Sequence, residues 1–249
     1  MWINLNRPIV IAHRGDSAHA PENTISAFKL AMQKGAQAIE FDVKLSKDRQ
    51  VIVIHDQTVD RTTDGHGDVR QLPLEELQKL EAGIRFGEKF PHERIPNLEE
   101  VFASIGTGIH MNIELTNYAT PHDGLVEEVA KLVKKYQMQE QILFSSFFPN
   151  NLKKAMQLLP DVPCGLLAWT GLAGFPARNW GWKQGLFALH PFRDDVDVKL
   201  VNRIHKAGRR LHVWTVNEKS EMEKLFEFGV DGIFTDDPGM LNQVLGRET

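Results

Sequence analysis

Cysteine is almost absent from this sequence of 249 residues, which contains Cys164 alone. One thiol cannot form a disulfide within the chain, so a small disulfide-stabilised fold is excluded and a buried apolar role is expected for Cys164. Long apolar runs are also missing, since none reaches 18 residues, and the N-terminus lacks a basic segment followed by an apolar core and a cleavage site. We therefore expect a soluble, cytoplasmic protein with no stable membrane association.

An excess of positive charge is missing too. The chain has 29 Lys and Arg residues against 33 Asp and Glu residues, a formal net charge of −4. This balance gives no general attraction to nucleic acid or anionic membranes, so any anion site must be local. Neither a Gly-x-x-x-x-Gly-Lys loop nor a Gly-x-Gly-x-x-Gly fingerprint occurs, which argues against nucleotide-dependent transfer and hydride chemistry. We predict no nucleic-acid partner.

The composition and pattern that remain are those of a globular α/β protein. Apolar residues make up 42% of the chain and charged residues 25%, which suits a sizeable core. Short β-prone runs alternate with helical patterns; the predicted strands are 9–12, the run holding Glu40 and Asp42, 110–115, 141–147, 163–168, 186–190, 210–216 and 232–235. Such alternation indicates a parallel sheet, and eight units favour a closed TIM (β/α)₈ barrel over an open doubly wound sheet.

One stretch interrupts the alternation. Residues 57–97 are rich in Gly, Asp and Thr and do not fit a plain strand–helix step. We predict that they form a small lobe inserted after the second strand, with a helix at 73–82 whose apolar side is Leu74, Leu77 and Leu80. Because no linker or internal repeat is apparent, residues 1–249 are expected to form a single domain.

A hairpin over residues 39–56 gathers several reactive side chains. Glu40 and Asp42 are two residues apart in a β-prone run, so their carboxylates point to the same face of a strand. Residues 46–49 read as a turn, and the apolar run 51–54 returns to end at His55. A connection this short permits only an antiparallel return. His55 is therefore expected near Glu40 and Asp42.

The barrel prediction places further polar groups at the same rim. Active sites in this fold lie at the C-terminal ends of the strands. His13 and Arg14 end the first predicted strand, and Glu114 ends strand 110–115. A single carboxylate there could be solvated or paired with a buried cation, but Glu40, Asp42 and Glu114 together would repel strongly unless a cation or protons intervened. Oxygen ligands alone suit one divalent cation, Mg²⁺ or Ca²⁺.

Histidine and arginine at this rim complete a set for phosphoryl chemistry. His13 and His55 are candidate general acid and base, since imidazole titrates near neutral pH. Arg14 offers a planar cation that suits two phosphate oxygens. Hydrolysis of a phosphate ester is the simplest reaction that uses them all. The other histidines are expected to be solvated or capping groups (His19, His66, His92, His122, His205) or strand residues with packing roles (His110, His190, His212).

Short motifs along the chain, taken together, resemble the glycerophosphodiester phosphodiesterase family. In order they are His13-Arg14-Gly15, Pro21-Glu22-Asn23-Thr24, Ile39-Glu40-Phe41-Asp42-Val43, His55-Asp56, Arg61-Thr62-Thr63, Asn112-Ile113-Glu114, Ser145-Ser146-Phe147, Trp214-Thr215-Val216-Asn217 and Gly232-Ile233-Phe234-Thr235-Asp236. Each motif alone is weak, but their order and spacing from about Ile9 to Pro238 are highly specific. The chain looks most similar to the bacterial cytoplasmic type.

The resemblance implies a TIM barrel with a small lobe after the second strand, and a reaction that converts a glycerophosphodiester into glycerol 3-phosphate and an alcohol. The site residues that it implies are Glu40, Asp42 and Glu114 for the divalent metal, His13 and His55 for acid–base catalysis, Arg14 for the phosphate, and Phe147 and Trp214 for apolar contact with glycerol. Packing over the barrel mouth is the alternative role of these two aromatic residues. The implied partner is the small-molecule glycerophosphodiester substrate. We expect the chain to be a monomer or a homodimer.

Two features depart from the family pattern. Many members carry a lysine two residues beyond the third carboxylate, where this chain has Thr116, which removes a positive charge near the expected phosphate. The segment 175–182 is also atypical and could form a lid or pack on the barrel wall. Two rival functions stay open: a phospholipase-like phosphodiesterase, which would have an exposed apolar rim, and a non-catalytic protein that binds a phospho-ligand, which Thr116 would favour.

Overall fold

The computed structural model describes residues 1–183 and 185–247. Positions 184, 248 and 249 fall within the predicted 1–249 domain but outside the described residues. A sheet of nine strands forms the centre of the described chain: β1 (Ile9–His13), β2 (Ala38–Leu45), β3 (Val51–Val53), β4 (His110–Leu115), β5 (Ile142–Ser146), β6 (Cys164–Leu167), β7 (Ala188–His190), β8 (Arg210–Val213) and β9 (Gly232–Thr235).

The sheet closes on itself. Its order is β1-β9-β8-β7-β6-β5-β4-β2-β3, and β1 also pairs with β2. All of these pairings are parallel except that of β2 with β3, where Val43 lies opposite Val53. Eight parallel strands therefore form a closed TIM barrel within the described residues, and β3 returns antiparallel beside β2. The barrel and the hairpin that the sequence predicts are both confirmed.

Helices lie between the barrel strands. In the described part of the chain they are α1 (Ile25–Gln33), α2 (Leu74–Leu77), α3 (Leu98–Ile105), α4 (Leu125–Lys135), α5 (Pro149–Leu158), α6 (Phe175–Asn179), α7 (Val198–Lys206), α8 (Lys219–Phe228) and α9 (Pro238–Val244). Side chains that cap helix N-termini fix several of the starts: Thr24 accepts from the backbone N–H of Ala27, and Asp197 from that of Leu200. No helix among these residues has the length and apolar character needed to cross a bilayer.

The two faces of each barrel strand have different roles. On β1, Val10 and Ala12 belong to the large core between strands and helices, whereas Ile9 and Ile11 belong to a smaller cluster inside the barrel. Trp2, only 2% exposed, joins that inner cluster and donates its Nε1–H to the carbonyl of Gln141 at 2.7 Å. The N-terminal turn thus covers one end of the barrel, and the strand C-terminal ends are left for polar side chains.

The lobe after β3 has a small core of its own. Seven buried residues form it: Ile52, Ile54, Val59, Val69, Leu77, Ala82 and Ile95. The helix predicted at 73–82 is wrong in length, because α2 ends at Leu77. The backbone after α2 forms tertiary hydrogen bonds in place of helical ones. The N–H of Glu81 donates to Asp64, and that of Ala82 donates to the carbonyl of Glu93.

The atypical segment after β6 contains two short 3₁₀ turns, Gly171–Gly174 and Gly181–Lys183, on either side of α6. Trp182 is buried in the main core and donates its Nε1–H to the carbonyl of Arg178. Phe175 and Trp180 instead pack edge to face on each other with their rings half-exposed. Part of this segment therefore packs on the barrel wall, and a role as a lid stays a prediction.

Candidate active site

The three predicted metal-binding carboxylates meet inside the C-terminal end of the barrel. Asp42 on β2 lies in register with Glu114 on β4, and Glu40 is one inward-facing position earlier. One oxygen from each of the three lies within 4.8 Å of the others. Glu40 is 2% exposed and Asp42 1%, so water cannot screen their mutual repulsion well.

This repulsion shows in their ionisation. Burial, with the charges of Asp42 and Glu114, raises the pKa of Glu40 well above its usual range. Burial and Asp42 also raise the pKa of Glu114 to about 8. For Asp42, burial opposes ionisation, but Arg14 and His55 outweigh it and lower the pKa. The metal-free site therefore retains protons near neutral pH, and a bound cation would displace them.

Each carboxylate is oriented by a hydrogen bond from a neighbour. Tyr118 donates its hydroxyl to Glu114 at 2.8 Å, and the side-chain amide of Asn23 donates to Asp42 at 3.1 Å. The backbone N–H of Arg14 donates to Oε2 of Glu40 at 3.1 Å, while Oε1 of Glu40 is buried and accepts no hydrogen bond from the described residues. An all-oxygen set with an unpartnered buried oxygen fits a hard divalent cation.

His13 and His55 line the same cavity of about 130 Å³ as Glu40 and Glu114. Their Nδ1 atoms are held alike, His13 by Asp236 at 2.7 Å and His55 by Asp56 at 2.6 Å. An Nδ1–H that donates to a carboxylate leaves the Nε2 atom free to accept a proton. The structure thus brings together the two histidines that the sequence singles out.

Arg14 lies beside the carboxylates, with Nε 3.4 Å from Asp42 and Nη1 donating to Glu22 at 2.9 Å. Its φ of +58° turns the chain at the barrel rim so that its own N–H faces Glu40. The next residue, Gly15, has φ +87°, and a Cβ there would lie 2.7 Å from the backbone of Ala27. Only glycine allows this loop to lie so close to α1.

Glu22, Arg61 and Asp56 form an ion-pair chain whose roles the sequence interpretation missed. Arg61 donates to both carboxylate oxygens of Glu22 and to both oxygens of Asp56. Burial opposes ionisation of Asp56, but Arg61 and His55 prevail and lower its pKa to about 2. All three residues lie in motifs that carry the family resemblance, and only their folded contacts show that they connect Arg14 to His55.

Aromatic side chains form the opposite wall of the cavity. Phe147, which follows β5, packs edge to face on Trp214 at 5.7 Å between ring centroids. It also stacks on Trp169, which follows β6, at 3.9 Å. Trp214 donates its Nε1–H to the carbonyl of His190, so its ring is fixed. Phe147 and Trp214 line the cavity, and Trp169, 47% exposed, extends their surface to the solvent. Their contact with glycerol stays a prediction.

A lysine from the neighbouring strand reaches Thr116. Lys44 on β2 is 8% exposed and donates its Nζ to the Thr116 carbonyl at 3.0 Å and hydroxyl at 2.9 Å. Burial lowers the pKa of Lys44, while the nearby acids Asp42 and Glu114 oppose that shift. Lys44 and Thr116 bind each other and are not among the residues that line the cavity with His13 and His55, so the effect of Thr116 on phosphate binding stays a prediction.

Comparison with known proteins agrees with this geometry. Residues 13–240 match the model of the glycerophosphoryl diester phosphodiesterase family. The chain is 45% identical over 236 residues to the glycerophosphodiester phosphodiesterase of Caldanaerobacter subterraneus subsp. tengcongensis, covering 94% of this chain and 96% of that protein.

Two solved structures are similar along nearly their whole length. The Oleispira antarctica phosphodiesterase in complex with the product sn-glycerol-3-phosphate has a TM-score of 0.83 at 34% identity, covering 96% of this chain and 97% of that one. The glycerophosphodiester phosphodiesterase of Agrobacterium tumefaciens has a TM-score of 0.79 at 27% identity, covering 94% and 98%. On its sequence and its barrel alike, this chain belongs to the glycerophosphoryl diester phosphodiesterase family.

Proposed function

We propose that the chain hydrolyses glycerophosphodiesters to glycerol 3-phosphate and an alcohol. The observation that carries the proposal is the convergence of Glu40, Glu114, His13, His55 and Arg14 on one cavity. Family membership supports the same reaction, as does the similar Oleispira antarctica enzyme, whose structure contains sn-glycerol-3-phosphate.

In this proposal Glu40, Asp42 and Glu114 would hold one divalent cation, Mg²⁺ or Ca²⁺, which would neutralise phosphate charge. Arg14 binds a phosphate oxygen from the side of Asp42. Phe147 and Trp214 cover the apolar face of the glycerol. The phosphate would then lie in the cavity that both imidazoles line.

The histidines move the protons. One imidazole accepts the proton of the attacking hydroxyl at Nε2, and the other donates a proton from Nε2 to the leaving alkoxide. Asp236 and Asp56 hold the two Nδ1–H groups and stabilise the imidazolium that forms at either position. The attacker is water or the 2-hydroxyl of the glycerol; a substrate that lacks this hydroxyl distinguishes the two, since only direct attack by water continues without it.

The proposal extends to the setting of the enzyme. We place the chain in the cytoplasm as a monomer or homodimer that acts on small molecules in lipid and glycerol metabolism, without a nucleic-acid partner. A single domain over residues 1–249 is part of the same proposal. The net charge of −4 and the absence of a bilayer-spanning helix from the described residues are compatible with it.

The test is a panel of glycerophosphodiesters with choline, ethanolamine, glycerol and inositol head groups, each assayed with and without a chelator. We expect glycerol 3-phosphate from at least one substrate, loss of turnover with chelator, and recovery with Mg²⁺ or Ca²⁺. Turnover that is insensitive to chelator, or release of phosphorylated alcohol in place of glycerol 3-phosphate, would contradict the proposal.

A second candidate is hydrolysis of lipid substrates at the same site, which predicts an exposed apolar rim. The structure has one: Trp169 is 47% exposed, Leu172 92%, Phe175 48% and Trp180 56%. Trp169 connects this rim to the cavity through its stack on Phe147. This candidate predicts that choline is released faster from a lysophospholipid than from glycerophosphocholine, and that Leu172→Ser and Phe175→Ser lose this preference. If both variants released choline from the lysophospholipid at the wild-type rate, the candidate would be excluded.

A further inference from the structure

A second group of side chains that could hold a metal ion lies outside the residues that line the cavity. Asp16 and His19 belong to the loop between β1 and α1, and Asp237 to the loop between β9 and α9. One oxygen or nitrogen from each of the three lies within 4.8 Å of the others. We propose that Asp16, His19 and Asp237 form a second cation site, which takes a divalent transition metal of the Zn²⁺ type.

The buried carboxylate of Asp16 is the main reason. Asp16 is fully buried, its Oδ1 pairs with His19 Nδ1 at 2.7 Å, and its Oδ2 is buried without a hydrogen-bond partner among the described residues. Within the same residues no Lys or Arg nitrogen lies within 4 Å of Asp16 or Asp237. The charge of Lys34 also acts on Asp16 and opposes the rise of its pKa, but from beyond 4 Å. A buried carboxylate oxygen that lacks a hydrogen-bond donor is costly, and a metal ion would satisfy it.

Asp237 adds a second oxygen. Its Oδ1 caps α9 by accepting the N–H of Met240 at 2.9 Å, which fixes the carboxylate. Its Oδ2 makes no hydrogen bond within the described chain and lies 3.9 Å from His19 Nε2. The negative charge of Asp237 also helps to raise the pKa of Asp16, after the larger effect of burial. Two facing carboxylates beside an imidazole attract a cation.

The donor set indicates the kind of metal. Two carboxylates and one imidazole suit a borderline ion such as Zn²⁺, whereas the all-oxygen set of Glu40, Asp42 and Glu114 suits Mg²⁺ or Ca²⁺. Tetrahedral bonds of about 2.0–2.1 Å place ligand atoms about 3.3 Å apart, so binding draws the three atoms closer together. The His19 side chain is 48% exposed and has the freedom to make this adjustment.

The site would join the two loops that hold His13. The N–H of Ala18 donates to the carbonyl of Asp236 at 3.0 Å, and the Ser17 hydroxyl lies 3.1 Å from the Asp236 carboxylate that binds His13. A cation held by Asp16, His19 and Asp237 therefore stabilises the backbone around Asp236. The role is structural, and the inference does not depend on the proposed reaction.

The test is a Zn²⁺ titration of the full chain by calorimetry in saturating Mg²⁺, which keeps the three-carboxylate site filled. We expect one equivalent of Zn²⁺ to bind to the wild type, and binding at least about tenfold weaker in His19→Ala and Asp16→Asn. The matched control is His66→Ala, because His66 pairs with Asp60 at 3.2 Å on the surface without a second carboxylate. It should bind Zn²⁺ as the wild type does.

Thermal unfolding gives a second measurement. In saturating Mg²⁺, Zn²⁺ should raise the Tm of the wild type and of His66→Ala, but not that of His19→Ala, because only a folded site binds the ion. His19 is half-exposed, so its replacement should leave the fold intact even where Asp16→Asn does not. The proposal would be overturned if the wild type bound no equivalent of Zn²⁺ in saturating Mg²⁺. It would also be overturned if Zn²⁺ binding persisted in His19→Ala and disappeared in Glu114→Gln.

Discussion

Arg61 donates hydrogen bonds to Glu22 from both terminal nitrogens of its guanidinium, at 2.7 and 2.8 Å. Glu22 precedes α1 and Arg61 belongs to the lobe after β3, so this pair fixes the lobe to the barrel rim. The same guanidinium reaches Asp56, which holds His55. The position of one proposed catalytic histidine is thus set by an arginine that does not touch the cavity.

The first prediction concerns this arginine. Arg61→Lys should reduce kcat about 10–100-fold, because a lysine cannot bind Glu22 and Asp56 with the same planar fork. KM should change less, since Arg61 does not line the cavity. Arg70→Lys, which alters an exposed pair with Asp68 in the same lobe, is the matched control and should stay within twofold of wild type. Equal losses in both variants would indicate general damage to the lobe.

The second prediction separates catalysis from metal binding. His13→Ala and His55→Ala should each lower kcat by about 10²–10⁴-fold, because each removes a proton-transfer group. Both should still bind Mg²⁺ or Ca²⁺ by calorimetry, since the proposed ligands are Glu40, Asp42 and Glu114. His66→Ala serves as the surface-histidine control. Retention of more than a tenth of the wild-type kcat in either variant would remove that histidine from the mechanism.

The third prediction follows from the carboxylates. Burial and Asp42 raise the pKa of Glu114 from an ordinary value of 4.5 to about 8 in the metal-free protein. Between these pH values the folded state binds the additional proton, so the free energy of unfolding should fall as pH rises from about 5 to 8. The raised pKa of Glu40 acts in the same direction.

This dependence can be measured as Tm against pH in chelator. The slope should be shallower in Glu114→Gln, which cannot ionise, and saturating Mg²⁺ or Ca²⁺ should suppress it in the wild type. Calorimetry in buffers of different ionisation enthalpy should show proton release on metal binding at pH 7. If the Tm of the metal-free wild type rose between pH 5 and 8 relative to that of Glu114→Gln, the raised pKa of Glu114 would be contradicted.

The fourth prediction tests the covered end of the barrel. Trp2→Ala should destabilise the protein by about 3–5 kcal/mol, because it removes a buried indole that packs against His110 and His212. Activity at low temperature should be kept, since Trp2 lies at the end opposite the site. Ile3→Ala, in the same turn but 61% exposed, should change the free energy of unfolding by less than about 0.5 kcal/mol in denaturant titrations.

The barrel and the site hairpin could be predicted because both depend on local pattern. Residue spacing alone places Glu40 and Asp42 on one face, and a short turn forces His55 back towards them. Helix α3 was missed although its signals are present: Asn97 and Glu100 form a capping box before an apolar stripe. Asn97 lies at the end of the predicted 57–97 lobe, which hides this start.

Several contacts that the sequence does not predict join residues far apart in the chain. Lys44 meets Thr116 across 72 positions, and His13 meets Asp236 across 223. No periodicity encodes such pairs, because they depend on which strands become neighbours when the barrel closes. His19 illustrates the same limit: its loop position indicated a solvated group, and only the fold places Asp237 beside it.

The barrel divides its reacting groups from its aromatic groups. Proton-transfer, arginine and carboxylate side chains come from β1 to β4 and their loops, whereas Phe147, Trp169 and Trp214 follow β5, β6 and β8. Exchanging the loop after β6 therefore replaces Trp169 while the imidazoles and the acidic cluster keep their supports. The apolar surface that faces the substrate can therefore vary through one half of the ring, while the side chains proposed for proton transfer and metal binding in the other half stay unchanged.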